Sequence, residues 1–170
     1  MRIHLGSDHA GFELKQHLAA RLAGQGHEVI DHGPALFRPD DDYPVYCLRV
    51  AEGLAADLAS GQAALGIVVG GSGNGEQLAA NEVSGIRAAL VWSEQTAEWA
   101  RAHNDAQVIA LGARLHPLEQ ATGFVEVFLR TPFSHDPRHA RRLAMLAAYE
   151  ADATLPPLPD AESDRPDPQA

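Results

Sequence analysis

The chain has 170 residues, 45% hydrophobic and 21% charged, the balance of a soluble globular protein long enough to bury a core. A formal net charge of −10 excludes the broad basic footprint of a nucleic-acid binder, so an anionic small molecule must be met by locally concentrated arginines. One cysteine, Cys47, rules out an internal disulfide. No run approaches the roughly 20 apolar residues of a membrane span, and Met1–Asp8 turns polar too soon for a signal peptide, so a cytoplasmic setting is expected.

Ile3–Leu5 reads as a first strand closing at Gly6. Over Gly11–Ala23, Leu14, Leu18 and Leu22 form one helical stripe, with Gly24 and Gly26 as stops. Glu28–Ile30 is a short second strand. The polar loop His32–Tyr43 then leads to Pro44, suited to a first helical position. The following helix is expected to pack Leu48, Ala51, Leu54, Ala55 and Leu58 on one side, with Cys47 buried inside it. Ala64–Val69 is the clearest strand, a continuous apolar run of the kind found where both sheet faces are covered. A glycine cluster follows and flows into a helix over Glu76–Asn81. Arg87–Trp92 is a fourth strand, Ser93 caps the next helix with Glu94 in its first turn, and Gln107–Leu111 is a fifth strand. Pro117 opens a helix to about Leu129, and Asp136-Pro137 starts a last one ending near Glu150.

Alternating strands and helices predict an α/β fold with a parallel sheet covered on both faces, and ligands then bind beyond the carboxyl ends of the strands. One domain is expected over 1–150. Residues 151–170, with five prolines and five acidic residues, read as a disordered tail.

The segment Gly70-Gly71-Ser72-Gly73-Asn74-Gly75-Glu76 carries the most chemistry. A phosphate-binding Walker loop needs lysine where Glu76 stands; a dinucleotide fingerprint starting at Gly71 needs glycine there; a nucleophile elbow around Ser72 needs glycine at Asn74. What remains is a nest of main-chain N–H donors with a carboxylate at its lip. Such a pair suits removal of a C–H proton by Glu76 while the amides hold the resulting enediolate oxygen. Near a helix N-terminus, Glu76 is expected to favour its ionised form. The bland counterpart is a capped helix after a tight turn.

Asp8-His9 lies at the end of strand one, where Asp8 either caps the first helix or orients a substrate and His9 holds a phosphate or hydroxyl. His103-Asn104 closes the helix after strand four, as a cap or as an acid that opens a sugar ring. Arg114 follows strand five. Arg138 and Arg142 share a face of the last helix, with Arg138 in a first turn that disfavours cations unless an anion is held there. Asp40-Asp41-Asp42-Tyr43-Pro44 has no calcium-loop glycine and no histidine at ligand spacing. Helix-start and sugar-hydroxyl contacts fit it better than a metal, with Tyr43 lining the site.

Leu5-Gly6-Ser7-Asp8-His9-Ala10-Gly11, Asp42-Tyr43-Pro44, the glycine loop through Glu76, His103-Asn104 and the Arg138/Arg142 pair, in that order, resemble the ribose/galactose isomerase family over about residues 1–150. The resemblance implies a Rossmann-like three-layer αβα sandwich with a five-stranded parallel sheet. It implies interconversion of ribose 5-phosphate and ribulose 5-phosphate, in the non-oxidative pentose phosphate pathway, without metal or organic cofactor. It also implies a homodimer whose sites draw on both chains. Asp8 and His9 would then bind substrate, Gly71, Ser72, Gly73, Asn74 and Gly75 would hold the enediolate, and His103 would open the ring. Asn104 and Arg114 would contact substrate, and Arg138 and Arg142 would clamp phosphate. Many members place a cysteine base at the start of the glycine loop, a position that is glycine here, so the base would be Glu76. Alternatives are an isomerase of another sugar phosphate (erythrulose 4-phosphate or allose 6-phosphate), a non-catalytic phosphate-ligand binding module, and an FMN-binding flavodoxin-like protein.

Overall fold

A computed structural model describes residues 1–158. The chain forms two compact units, Met1–Asp136 and a second beginning at Pro137. In the first, five strands, β1 (Arg2–Ser7), β2 (Glu28–Asp31), β3 (Ala64–Gly70), β4 (Ala88–Val91) and β5 (Val108–Gly112), form one sheet in the order β2-β1-β3-β5-β4. Every pairing is parallel. The connecting helices are α1 (Phe12–Gly24), α2 (Tyr43–Ala59), α3 (Asn74–Asn81), α4 (Glu94–Ala102) and α5 (Leu118–Arg130).

Side chains alternate along a strand, so each buried strand feeds two cores. Leu65, Ile67 and Val69 of β3 and Ile109 and Leu111 of β5 join Leu14, Leu18, Leu22, Phe124 and Phe128 in the core under α1, α4 and α5. Val68, Val108 and Ala110 point the other way, onto Val50, Ala51, Leu54 and Ala80 of α2 and α3. That sandwich of helices, sheet and helices is the expected fold, with element ends shifted by one or two residues as hydrogen bonding at frayed ends allows. Ser93 caps α4 as expected, accepting from the Thr96 N–H, and the Thr96 hydroxyl reciprocates.

One expected stripe is corrected. In α2 the buried residues are Cys47, Val50, Ala51 and Leu54, whereas Leu48 and Leu58 are each 37% exposed. The helix is rotated so that Cys47 and Val50 take the inward positions.

Two polar insertions also enter the cores. Lys15 is fully buried in α1, donating to both oxygens of Asp31 at 2.8 and 2.6 Å and to the Pro34 carbonyl at 2.9 Å. His4 in β1 is wedged between Asp57 at 2.8 Å and His32 at 2.9 Å.

The second unit opens with α6 (Pro137–Asp152), which runs two residues past its expected end. Residues 153–158 carry no helix or strand. The rest of the expected tail, 159–170, lies outside the described residues.

Candidate active site

The sheet order reverses between β1 and β3: one crossover leads outward to β2, the other to β5 and β4. Such a switch point opens a crevice at the carboxyl edge of a parallel sheet. Register sets Ser7 beside Val69, so Asp8 and the glycine loop emerge as neighbours, and the Asp8 N–H donates to the Val69 carbonyl at 3.3 Å.

Past β3 the chain bends back at Gly73, which caps α3 with φ +84°, a left-handed conformation open to glycine at little cost. The turn brings Glu76, in the first turn of α3, back over the strand end. Its carboxylate lies directly against the Cα of Gly70, where any side chain would collide with it. The carboxylate is thus turned toward the glycine loop, not away from it.

Glu76 is only 4% exposed. Burial pushes its pKa up, and the nearby Asp8 charge adds to that; the N–H groups of Glu76 itself and of Gly73 pull the other way and lose. Loss of water therefore works against the ionised form that the helix end favours. A carboxylate raised toward working pH is a better proton acceptor than an ordinary one.

Around this centre the structure gathers several of the expected residues. Asp8 accepts from the Ala10 and Gly11 N–H groups through Oδ1, at 2.9 and 3.2 Å, capping the turn His9–Gly11 and leaving Oδ2 outside those bonds. Tyr43 lays its ring over Gly75, where an added methyl carbon would sit 2.6 Å from Cζ. Arg114 donates its N–H to the Gly71 carbonyl at 3.2 Å, and its guanidinium lies along Gly71. Ser72 and Asn74 are exposed at the loop tip, with the Asn74 N–H and side-chain amide both 3.3 Å from the Ser72 hydroxyl.

His9 is held by a residue that was not singled out. Asp41 Oδ1 accepts the His9 backbone N–H at 2.7 Å and lies 3.1 Å from His9 Nδ1. Three consecutive aspartates carried no periodic signal as to which one turns inward. Cys47 also faces this centre: burial, then the Glu76 and Asp8 charges, push its thiol far up, so it remains protonated and packs.

Two expected residues are elsewhere. α4 runs back along the sheet, and His103-Asn104 sits at the start of β4 and β5: the Asn104 carbonyl accepts from Arg87 Nε at 2.9 Å, just before β4. The loop at Glu76 lies beyond the far end of β3, whose seven residues span roughly 20 Å at about 3.3 Å each. There His103 stacks on Trp99, with ring centroids 6.0 Å apart. Within one chain, His103 and Asn104 do not meet Glu76. Arg138 and Arg142 lie one turn apart on α6, both exposed.

Fold and rim together define a class of protein: a parallel αβα sandwich whose switch-point loop sets main-chain donors beside a buried carboxylate, the equipment for moving a proton next to a carbonyl. Residues 3–146 match the Ribose/Galactose Isomerase family. The chain belongs to that family. It is 52% identical to ribose-5-phosphate isomerase B of Mycolicibacterium paratuberculosis over 161 residues, covering 95% of this chain and 99% of that one. Its identity to the Mycobacterium tuberculosis H37Rv protein of the same name is 51%, covering 95% and 97%. Among solved structures, the Clostridium thermocellum ribose-5-phosphate isomerase B superposes with a TM-score of 0.83 at 38% identity, covering 91% of this chain and 100% of that one. The Mycoplasma genitalium enzyme with bound ribulose 5-phosphate gives 0.82 at 36%, covering 89% and 97%.

Proposed function

We propose that the chain is an aldose–ketose isomerase interconverting ribose 5-phosphate and ribulose 5-phosphate in the non-oxidative pentose phosphate pathway. The observation that carries the mechanism is the buried Glu76 carboxylate resting on Gly70 beneath the glycine loop. On the open-chain aldose, Glu76 takes the C2 proton and the electron pair moves to the carbonyl oxygen, giving a cis-enediolate. Main-chain N–H groups over Gly71–Gly75 hold the oxygen charge. Glu76 then returns the proton to C1 as the C2–O bond becomes the ketose carbonyl, and the proton of the C2 hydroxyl passes to the C1 oxygen, which becomes the C1 hydroxyl.

In this reading Asp8, His9, Tyr43, Ser72, Asn74 and Arg114 grip the sugar, and the exposed Arg138 and Arg142 clamp the phosphate by paired hydrogen bonds. His103 opens the sugar ring and Asn104 contacts substrate, both arriving from a second copy of the chain. A homodimer with shared sites is supported by the distance of His103-Asn104 from Glu76 along the sheet. The exposed Leu48, Leu78, Met145 and Leu146 fit the same reading. A cytoplasmic setting suits a phosphorylated substrate and a lone buried thiol.

The test is exchange of the ribose 5-phosphate C2 proton in deuterated water, followed by NMR alongside isomerisation. Wild type exchanges and isomerises. Glu76→Gln binds the sugar phosphate but loses both by about 1,000-fold, within the usual range for a general base. It melts no earlier than wild type, because a buried charge has been removed. Tight binding by wild type without exchange marks a binding module instead, and near-normal turnover in Glu76→Gln removes the base.

A further inference from the structure

The carboxylate of Asp41 is buried, its side chain 7% exposed, on a loop otherwise open to water. Oδ1 takes two bonds from His9, one from the backbone and one at the ring. Oδ2 is buried without a well-formed hydrogen bond, and the Tyr46 hydroxyl faces this carboxyl, pushed up by burial and by its hydrogen bond and charge interaction with Asp41. A helix start does not account for this. The residue that caps α2 is Asp42, and its side chain makes no capping bond. Burying a carboxylate is destabilising unless its partners repay the lost hydration, so the position invites a reason beyond folding.

The loop that carries Asp41 is anchored at its root. Buried Lys15 ties Asp31 and the Pro34 carbonyl to α1. Asp31 accepts from the Gly33 N–H at 2.8 Å, and the Gly33 carbonyl accepts from the Ser7 N–H at 3.1 Å, at the end of β1. Thus α1 and β1, the elements that deliver Asp8 and His9, also anchor the loop that delivers Asp41.

We propose that Asp41 is a positioning residue that fixes the tautomer and orientation of His9. This rests on the isomerase reading for what His9 meets. An ionised carboxylate only accepts, so the ring nitrogen facing it carries the proton. His9 Nδ1 is that nitrogen, at 3.1 Å from Asp41 and 4.0 Å from Asp8 Oδ2. Nε2 is left as the nitrogen with a lone pair, and a neutral His9 therefore presents an acceptor to a sugar hydroxyl. The ring is about a third exposed, so the bond to Asp41, not packing, must set its angle.

The experiment is nitrogen-15 NMR of the His9 ring in the full-length protein, with kinetics on the same samples. Wild type is expected to show the proton on Nδ1 and a bare Nε2. Asp41→Asn keeps the size but lets either end of an amide face the ring. It should mix the tautomers and lower kcat by about 10- to 100-fold, as is usual for loss of an outer-shell carboxylate, with KM moving less. A wild-type proton on Nε2 overturns the assignment even if the variant does not fold. So does an Asp41→Asn protein with an unchanged tautomer and unchanged kcat. An Nδ1 proton in a wild-type chain that shows no isomerase activity upholds the Asp41–His9 pairing and sinks the proposed function.

Discussion

The two ends of the sheet treat their charged groups differently. At the amino end, Arg87 and Arg101 share the carboxylate of Asp105 at 3.1 and 2.8 Å and also cap the carbonyls of Asn104, Asp105 and Ala106. Arg2 likewise pairs with Asp57, which also takes a bond from His4. At the carboxyl end, Asp8, Asp41 and Glu76 converge. Glu76 is raised by burial and Asp8, and Asp41 takes its bonds from His9 and Tyr46 and from no lysine or arginine among the described residues. Paired charges hold a fold, as Lys15 and Asp31 do even at this end; carboxylates such as Asp8 and Glu76, with no lysine or arginine ion pair among the described residues, await a ligand or a proton. The amino end reads as scaffold and the carboxyl end as site, yet His103 and Asn104 stand at the scaffold end.

The largest effect should come from joining the two ends across chains. Chains carrying Glu76→Gln and chains carrying His103→Ala are each expected to be nearly inactive alone. If every site takes Glu76 from one chain and His103 from another, a mixed dimer has one intact site of two. Random mixing then restores about a quarter of wild-type activity, as symmetric pairing requires. No recovery would return both residues to one chain.

A smaller shift should appear in pH profiles. Only ionised Glu76 accepts a proton, so kcat/KM falls as pH drops through its raised pKa. Asp8→Asn keeps the cap oxygen and removes a charge that raises Glu76, so this acid limb moves to lower pH. A limb that stays put or moves up contradicts the coupling. Stability runs the other way: a carboxyl raised in the folded state makes the native chain bind its proton more tightly. Glu76 therefore contributes stability below its folded pKa that is lost as pH rises through it. Denaturant titrations of wild type and Glu76→Gln at several pH values measure that slope.

The smallest change belongs to the scaffold. Ser93→Ala removes a capping box at α4 and should cost about 1 kcal/mol in denaturant unfolding. Turnover at saturating substrate should stay near wild type, which would separate scaffold from site.

Much of this was legible in short stretches of chain. The run Ala64–Val69, the glycines after it, Ser93 before Glu94 and the Leu14/Leu18/Leu22 stripe each act over a few residues, and each forms the element its pattern implies. Glu76 was recognisable because a carboxylate at the edge of so many glycines excludes the common phosphate loops. Lys15 was not legible, since an ordinary lysine stays in water and only the placement of Asp31 and Pro34 lets this one be buried. Nor was the rotation of α2, because leucine and cysteine both suit a packed face and the sheet chose between them.

Local pattern, then, determined by itself the kind of layers, the order of elements and the presence of a donor loop beside a carboxylate, because those follow from spacing and backbone freedom. Only the folded chain decided how water-poor Glu76 is, which of three aspartates grips His9, and that His103 ends a strand's length from Glu76. Those depend on residues distant in sequence meeting across the sheet, and burial and distance exist only once they have met.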